Sequence, residues 1–345
     1  MERQAPDYET DFRCLAADCL HSCCIGWEVV IDGETAERYA AVPGSLGERL
    51  RRSLTKTDGE TCFRLTPDRR CPFLEKSGLC EIHRRLGAEF TSQVCRAHPR
   101  FITDYGPLRE TSLSAACPAV EALLLGSDSP LTFPVSELPE PGEEPGPDFS
   151  ALRQSRDLGL DLLRERSVPL NRRLAWLLLF ANEVQALLDS GSADALPELC
   201  ALYREEPELP ELAPDGRLTS DALELLSGLE VLEPDWKPLL RAASASGFPG
   251  AKNPDDVLER IACYFFFRYF LPSATEGDAL TPAQMTVFSV LTVDRLAGGP
   301  ELGEALRRYC REIEHCSENL DALRNAFCED GRFGLVPFFS ALQNV

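Results

Sequence analysis

Nine of the 14 cysteines in this chain fall before residue 118, in a stretch rich in turn formers and poor in long periodic segments. Cys14, Cys19, Cys23 and Cys24 are separated by four, three and zero residues, so their thiols converge within one short loop. Cys71 opens a Cys-Pro-Phe-Leu run, Cys80 follows after eight intervening residues, Cys95 opens Cys-Arg-Ala-His-Pro-Arg, and Cys117 precedes Pro118. Cysteines at short spacing bring ligands together with little loop entropy to lose, and distant ones close the site as the fold forms. We read Cys14, Cys19, Cys23, Cys24, Cys71, Cys80, Cys95 and Cys117 as metal ligands. Eight thiolates exceed the needs of one structural zinc or one 4Fe-4S cluster, each of which takes four. Cys23 and Cys24 are adjacent and point differently, so one serves a cluster while the other is free for a second metal or for chemistry. Which four hold a cluster, and whether the metal is iron or zinc, stays open on spacing alone. Cys200, Cys263, Cys310, Cys316 and Cys328 read as small buried hydrophobes, since Cys310 and Cys316 sit on an apolar helical stripe. His21, His83 and His98 flank the cysteines and fit surface or supporting roles equally well.

The N-terminus has no apolar core of the signal-peptide kind, and no hydrophobic run approaches the roughly 20 residues that cross a bilayer. The expected compartment is the cytoplasm, where thiols stay reduced and available to metal. Apolar residues make up 44% of the chain and charged residues 26%, the profile of a globular protein. The net charge of −21 argues against a nucleic-acid partner, which needs a basic face. Residues 127–345 carry 19 Lys/Arg against 37 Asp/Glu, so the acidic surplus lies there. It is either a solvated surface or a field that draws in a cationic, lysine-bearing substrate.

The expected fold is mainly α, an irregular cysteine-rich metal-binding region (1–126) followed by a helical domain (150–345). Residues 127–149, with six prolines, read as a linker or a strap over the surface. Leu174, Leu177, Leu178, Ala181, Val184 and Leu188 recur at helical steps, with Arg173, Asn182, Gln185 and Asp189 on the opposite face. The run Ile261 to Leu271 is apolar nearly all round and predicts a central helix. Leu302, Leu306, Tyr309, Cys310, Ile313, Cys316, Leu320, Leu323 and Phe327 predict one helix of about 25 residues packed along one side.

At these residues the chain resembles the flagellin lysine N-methylase family. The likeness runs from Tyr8 and Phe12 through Cys14, Cys19 and Cys23-Cys24-x-Gly26-Trp27 to Ile31-Asp32. It continues through Cys71 to Leu74, Gly78 to Ile82, Cys95-Arg96, Pro99-Arg100 and Cys117-Pro118. Beyond residue 118 it is looser, carried by Arg172-Arg173-Leu174 and the aromatic run near Tyr264. The resemblance implies methylation of flagellin lysines by S-adenosylmethionine and a 4Fe-4S cluster. No Gly-rich loop follows a predicted strand, so the common donor folds find no support, and the cysteine spacing departs from the radical-enzyme pattern at Gly26. A lysine amine has a pKa near 10.4 and needs a base or a desolvating pocket before it attacks. Asp32, Glu81, Tyr105 and His98 are candidate bases by position, and Arg96 and Arg100 are candidates to pair with the donor's carboxylate. The alternative is a non-enzymatic zinc- or iron-binding, metal-delivery protein with the same thiolates.

Overall fold

The computed structural model describes residues 1–27, 29–57, 59–205, 207–245 and 253–343, and among them the fold is mainly α, with fifteen α-helices and six short strands. Two hydrophobic cores organise it. The smaller one gathers Val29, Ile31, Tyr39, Val42, Leu46, Leu50, Phe63, Phe73 and Ile82, with Cys71 buried among them. Its elements are the helices Gly33–Ala41 and Gly44–Ser53 and an antiparallel hairpin of β2 (Leu54–Thr57) and β3 (Glu60–Phe63), in register Leu54 to Phe63. Asp32 starts the first of these helices: one carboxylate oxygen accepts from the Thr35 amide at 2.9 Å and the other from the Gln93 amide at 2.7 Å. A residue read from position as a possible base is thus a helix cap that also ties in the Cys95 segment.

The larger core is helical and runs from Tyr8 to Leu342. A four-stranded sheet lies against it, formed by β1 (Glu2–Gln4), β4 (Arg100–Asp104), β5 (Leu108–Leu113) and β6 (Val135–Glu137) in the order β4-β5-β1-β6. β1 pairs parallel with β5 and the other pairings are antiparallel. The proline-rich segment supplies β6, and it also buries Leu131 and Phe133, whose ring stacks on Phe267 at 4.0 Å. Behind the sheet, the helix Asp255–Ala274 is buried along nearly its whole length between the helices Phe149–Arg164 and Leu280–Leu296, as its all-round apolar run requires.

Two expected features differ. Arg173 is fully buried rather than on a polar face: it pairs with Glu259 at 2.7 Å, which Arg166 also grips at 2.9 Å. The long terminal stripe is two helices, Leu302–Glu314 and Ser317–Glu329. The chain turns at His315 and Cys316, and Asn319 donates to the Glu312 carbonyl at 2.8 Å, replacing a helical amide that the break removes. The turn carries His315 onto the ring of Trp27.

Candidate metal centre and domain junction

The Cys23-Cys24-x-Gly26-Trp27 element holds the small core against the large one. Gly26 has φ +101°, and a Cβ there would stand 2.6 Å from Nη2 of Arg311. Only glycine lets the guanidinium approach this backbone. Arg311 donates from Nη2 to the Ile25 carbonyl, lies over Trp27 at 4.3 Å and meets Glu233 at 2.7 Å. Trp27 in turn stacks on His315 at 4.6 Å, with His98 and Phe101 closing the imidazole cluster at 5.9 and 5.7 Å. Arg268 covers Phe101 at 3.4 Å.

Behind His315 sits a buried carboxylate. Glu314 accepts from Ser114 at 2.7 Å and from Tyr264 at 2.8 Å, and Ser114 also meets His315 Nε2 at 3.0 Å. Burial raises the Glu314 carboxyl above its ordinary range, and Arg268 opposes that shift. Burial pushes His98 down to about 4 and His315 down to about 3, with Arg311 and Arg268 adding like charge, so both rings are neutral at pH 7. Arg307, one turn before Arg311, is also buried, and among the described residues its Nη1 has no hydrogen-bond partner.

Cys24, Cys71 and Cys80 pack on the small core, with the Cys71 amide donating to the Cys24 carbonyl at 2.8 Å and Cys80 bridging to Leu74. Cys80 begins the helix Glu81–Leu86, and Cys95 lies in the first turn of Gln93–Ala97, its amide capped by Ser92. Cys95 is exposed as a residue, and burial raises its thiol to about 11, with Cys24 and Cys80 adding like charge. Burial likewise raises Cys71 to about 12, beside Cys24, Cys95 and Cys80. A hydrogen bond from Cys23 holds Cys24 on the thiolate side, down to about 7. Cys14 and Cys19 flank the short turn Ala16–Asp18, and Cys117 caps the helix Pro118–Leu125 with Cys19 and Cys14 as its sulfur neighbours. The donor set fits a thiolate-bound metal: crowded, buried thiols resist ionising until a cation joins them, and its binding releases their protons. Among the described residues no three of these sulfurs lie within 4.8 Å of one another.

The remaining sequence candidates are engaged elsewhere. Arg100 pairs with Glu9 at 2.8 Å and covers Phe12; Arg96 donates to the Glu89 and Thr91 carbonyls. Glu81 is gripped by Arg49 and Arg85, and Tyr105 stacks on Phe149. His21 is drawn down chiefly by burial, near Arg307 and Arg311, and the His83 carbonyl accepts from the Gly87 amide that ends its helix. Cys263 and Cys310 are buried in the large core, the latter beside Glu314; Cys200 is buried there as well, Cys316 is buried near Glu230 and Glu318, and Cys328 is exposed. Two surface clefts of about 650 and 830 Å³ open on the helical part, around Asn171 and Glu208 and around Thr219 and Arg241, and no cysteine lines either. Sequence reasoning missed Arg307, Arg311 and Glu314. Their signal is their own spacing of four and three, which puts three charged residues on one face of a helix whose apolar residues Leu306, Tyr309, Cys310 and Ile313 are themselves buried.

Residues 156–339 match the model of the FliB lysine N-methylase C-terminal domain. The chain belongs to the FliB lysine N-methylase family. The match covers the helical part, including the helix that carries Arg311 and Glu314, whereas the motifs read from sequence lie in 8–118. Among relatives, the lysine-N-methylases of Salmonella choleraesuis and Salmonella typhimurium are each 25% identical over 229 residues, 62% of this chain and 57% of theirs. The flagellar biosynthetic protein FliU of Salmonella muenchen is 29% identical over 126 residues, 35% of this chain and 75% of its own. The matched part of the chain thus spans little more than half the length of the lysine-N-methylases. No solved structure matches. No helix of the described residues is long and apolar enough to cross a membrane.

Proposed function

We propose that this chain methylates lysine side chains of flagellin in the cytoplasm with S-adenosylmethionine as donor, and that its N-terminal thiolates hold a 4Fe-4S cluster beside the site. The observation that carries the reading is the junction at Trp27. There the FliB-family helix Leu302–Glu314 locks onto the cysteine element through Arg311. The two regions on either side of the proline-rich segment then form one site. The relatives' names supply the reaction class and the flagellar setting.

The junction also addresses the chemical demand of the reaction. Burial and the two guanidiniums of Arg268 and Arg311 disfavour any added cation, as the neutral His98 and His315 show. A lysine ammonium brought to this surface meets the same desolvation and like charge, which favour the neutral amine that attacks a methyl group. No dedicated base is required, which accounts for Asp32 and Glu81 being committed to a cap and to ion pairs. The sulfonium donor is itself an amino acid, and Arg307 is suited to its carboxylate because a buried guanidinium nitrogen without an acceptor is completed by an anion. Arg96 and Arg100 would have to leave the partners they hold. The cluster, held by the N-terminal thiolates, would supply an electron-rich metal centre. The excess of acid in the helical part favours approach of a lysine-bearing substrate.

The test is incubation of anaerobically purified protein with flagellin and methyl-labelled donor, followed by residue analysis. Label on lysine and on no other residue type supports the reading. Metal-replete protein that leaves flagellin unlabelled would put metal delivery ahead.

A further inference from the structure

We infer that His315, Ser114 and Glu314 form a proton relay that carries the substrate amine's proton from the Trp27 surface into the large core, with His315 Nδ1 as the atom that receives it. The inference rests on lysine methylation as proposed above and deepens it. The desolvated surface disfavours the ammonium, and the relay is where its proton goes.

The direction of each hydrogen bond follows from counting donors. The Ala115 amide donates to the Tyr264 hydroxyl at 3.0 Å, so the hydroxyl's own proton goes to Glu314, 2.8 Å away. The Ala116 amide donates to Ser114 Oγ at 3.2 Å. Ser114 in turn donates to Glu314 Oε2 at 2.7 Å, since an ionised carboxylate only accepts. One lone pair of Ser114 Oγ remains, and His315 Nε2 stands 3.0 Å from it. Nε2 therefore carries the single proton of the neutral ring, and Nδ1 is a bare acceptor. The two nitrogens face away from each other across the ring, so Nδ1 is turned from Ser114. Among the described residues no hydrogen bond reaches it. Ser114 and Glu314 are buried, whereas His315 is only partly covered, stacked on Trp27 with His98 and Phe101 beside it.

A lysine ammonium at this surface gives a proton to Nδ1 as Nε2 releases its own to Ser114 Oγ, and Ser114 passes its hydroxyl proton to Glu314. The ring exchanges one tautomer for the other and is never an imidazolium, which burial and the guanidiniums of Arg268 and Arg311 disfavour. Glu314 ends as a neutral carboxylic acid, the form that its burial favours. Glu314 also faces Tyr264, Tyr269, Cys310 and Arg268, and His315 faces His98, Arg268 and Arg311. Burial raises both tyrosines and Cys310 and lowers His98, so among these groups Glu314 is the one that takes a proton near neutrality. The neutral amine then attacks the methyl carbon of the donor. The carbon–sulfur bond of the sulfonium breaks, and its electron pair stays on sulfur. The nitrogen leaves as a methylammonium, and Glu314 returns its proton to solvent by the reverse path, so each turnover releases one proton.

Nitrogen-15 NMR of the full metal-replete chain with labelled histidine tests the resting state without turnover. His315, identified by the signal lost in His315→Gln, should show a protonated Nε2 and a bare Nδ1 at neutral pH; a proton on Nδ1 overturns the inference. Flagellin methylation kinetics test the moving state. Ser114→Ala removes only the linking hydroxyl and should lower kcat about 10²–10⁴-fold with little change in KM for flagellin. The loss should shrink as pH rises, because hydroxide then takes the proton in place of the relay. A loss independent of pH marks a structural defect and overturns the inference, as does a kcat close to native. Glu314→Gln keeps the shape of the side chain but cannot take a proton, and it should behave as Ser114→Ala does. Circular dichroism shows which variants fold, and the folded one decides. A native chain that leaves lysine unmethylated removes the proposed function and the relay's role with it, whereas native methylation with Ser114→Ala at full rate removes the relay alone.

Discussion

Gly26→Ala tests the close approach on which the junction depends. At φ +101° an L side chain sits in a sparsely populated region, which costs about 1–3 kcal/mol. The new Cβ would also lie 2.6 Å from Arg311 Nη2, and the guanidinium is not free to swing aside. It is held by the Ile25 carbonyl, by Glu233 and by the face of Trp27. Losing one charge-assisted hydrogen bond there costs about 1.5–3 kcal/mol. The expected total is roughly 2.5–6 kcal/mol, the sum of the strain and the lost bond. In an Arg311→Ala background the collision disappears and only the strain remains, so the two substitutions should couple by about 1.5–3 kcal/mol. Urea unfolding of metal-replete protein, with unchanged slope, measures each corner of the cycle. Costs that add to within about 0.5 kcal/mol would show that Gly26 and Arg311 do not act on one contact.

Phe133→Ala should cost about 3–5 kcal/mol in the same assay, because its buried ring stacks on Phe267; an effect below about 1 kcal/mol would mean the proline-rich strap does not anchor there. Glu259→Ala leaves Arg173 buried without its partner and should lower stability by about 3–5 kcal/mol, whereas a neutral result would contradict the buried pair. Burial pushes the Glu312 carboxyl up to about 7 from an ordinary value of 4.5. The folded state then binds the extra proton, so this group's contribution to stability falls as pH rises from about 4.5 to 7 and is level above that. Subtracting the melting-temperature profile of Glu312→Gln from that of the native chain should show this decline, and a flat difference refutes it. If the junction holds the substrate amine neutral, the methylation rate should level off well below pH 10.4, the ordinary lysine value; a rate still climbing toward it would mean the amine is not perturbed.

The sequence carried the local features well because they depend on near neighbours. The helix over Asp255–Ala274 follows from its unbroken apolar run. What it could not carry was partnership at a distance. Arg173 looks like a solvent-facing charge until Glu259, 86 residues away, is placed beside it. Arg311 looks like the polar face of a helix until Gly26 arrives from 285 positions earlier in the chain. Asp32 and Arg100 suited catalysis and donor binding by position, yet Gln93 and Glu9 occupy them.

The most direct measurement is the mass of flagellin after incubation, without oxygen, with the metal-replete chain and S-adenosylmethionine. The account predicts methyl increments confined to lysine-containing peptides, lost when Arg311→Ala opens the junction while metal content is unchanged. Flagellin of unaltered mass, with the metal demonstrably bound and the junction intact, would contradict it.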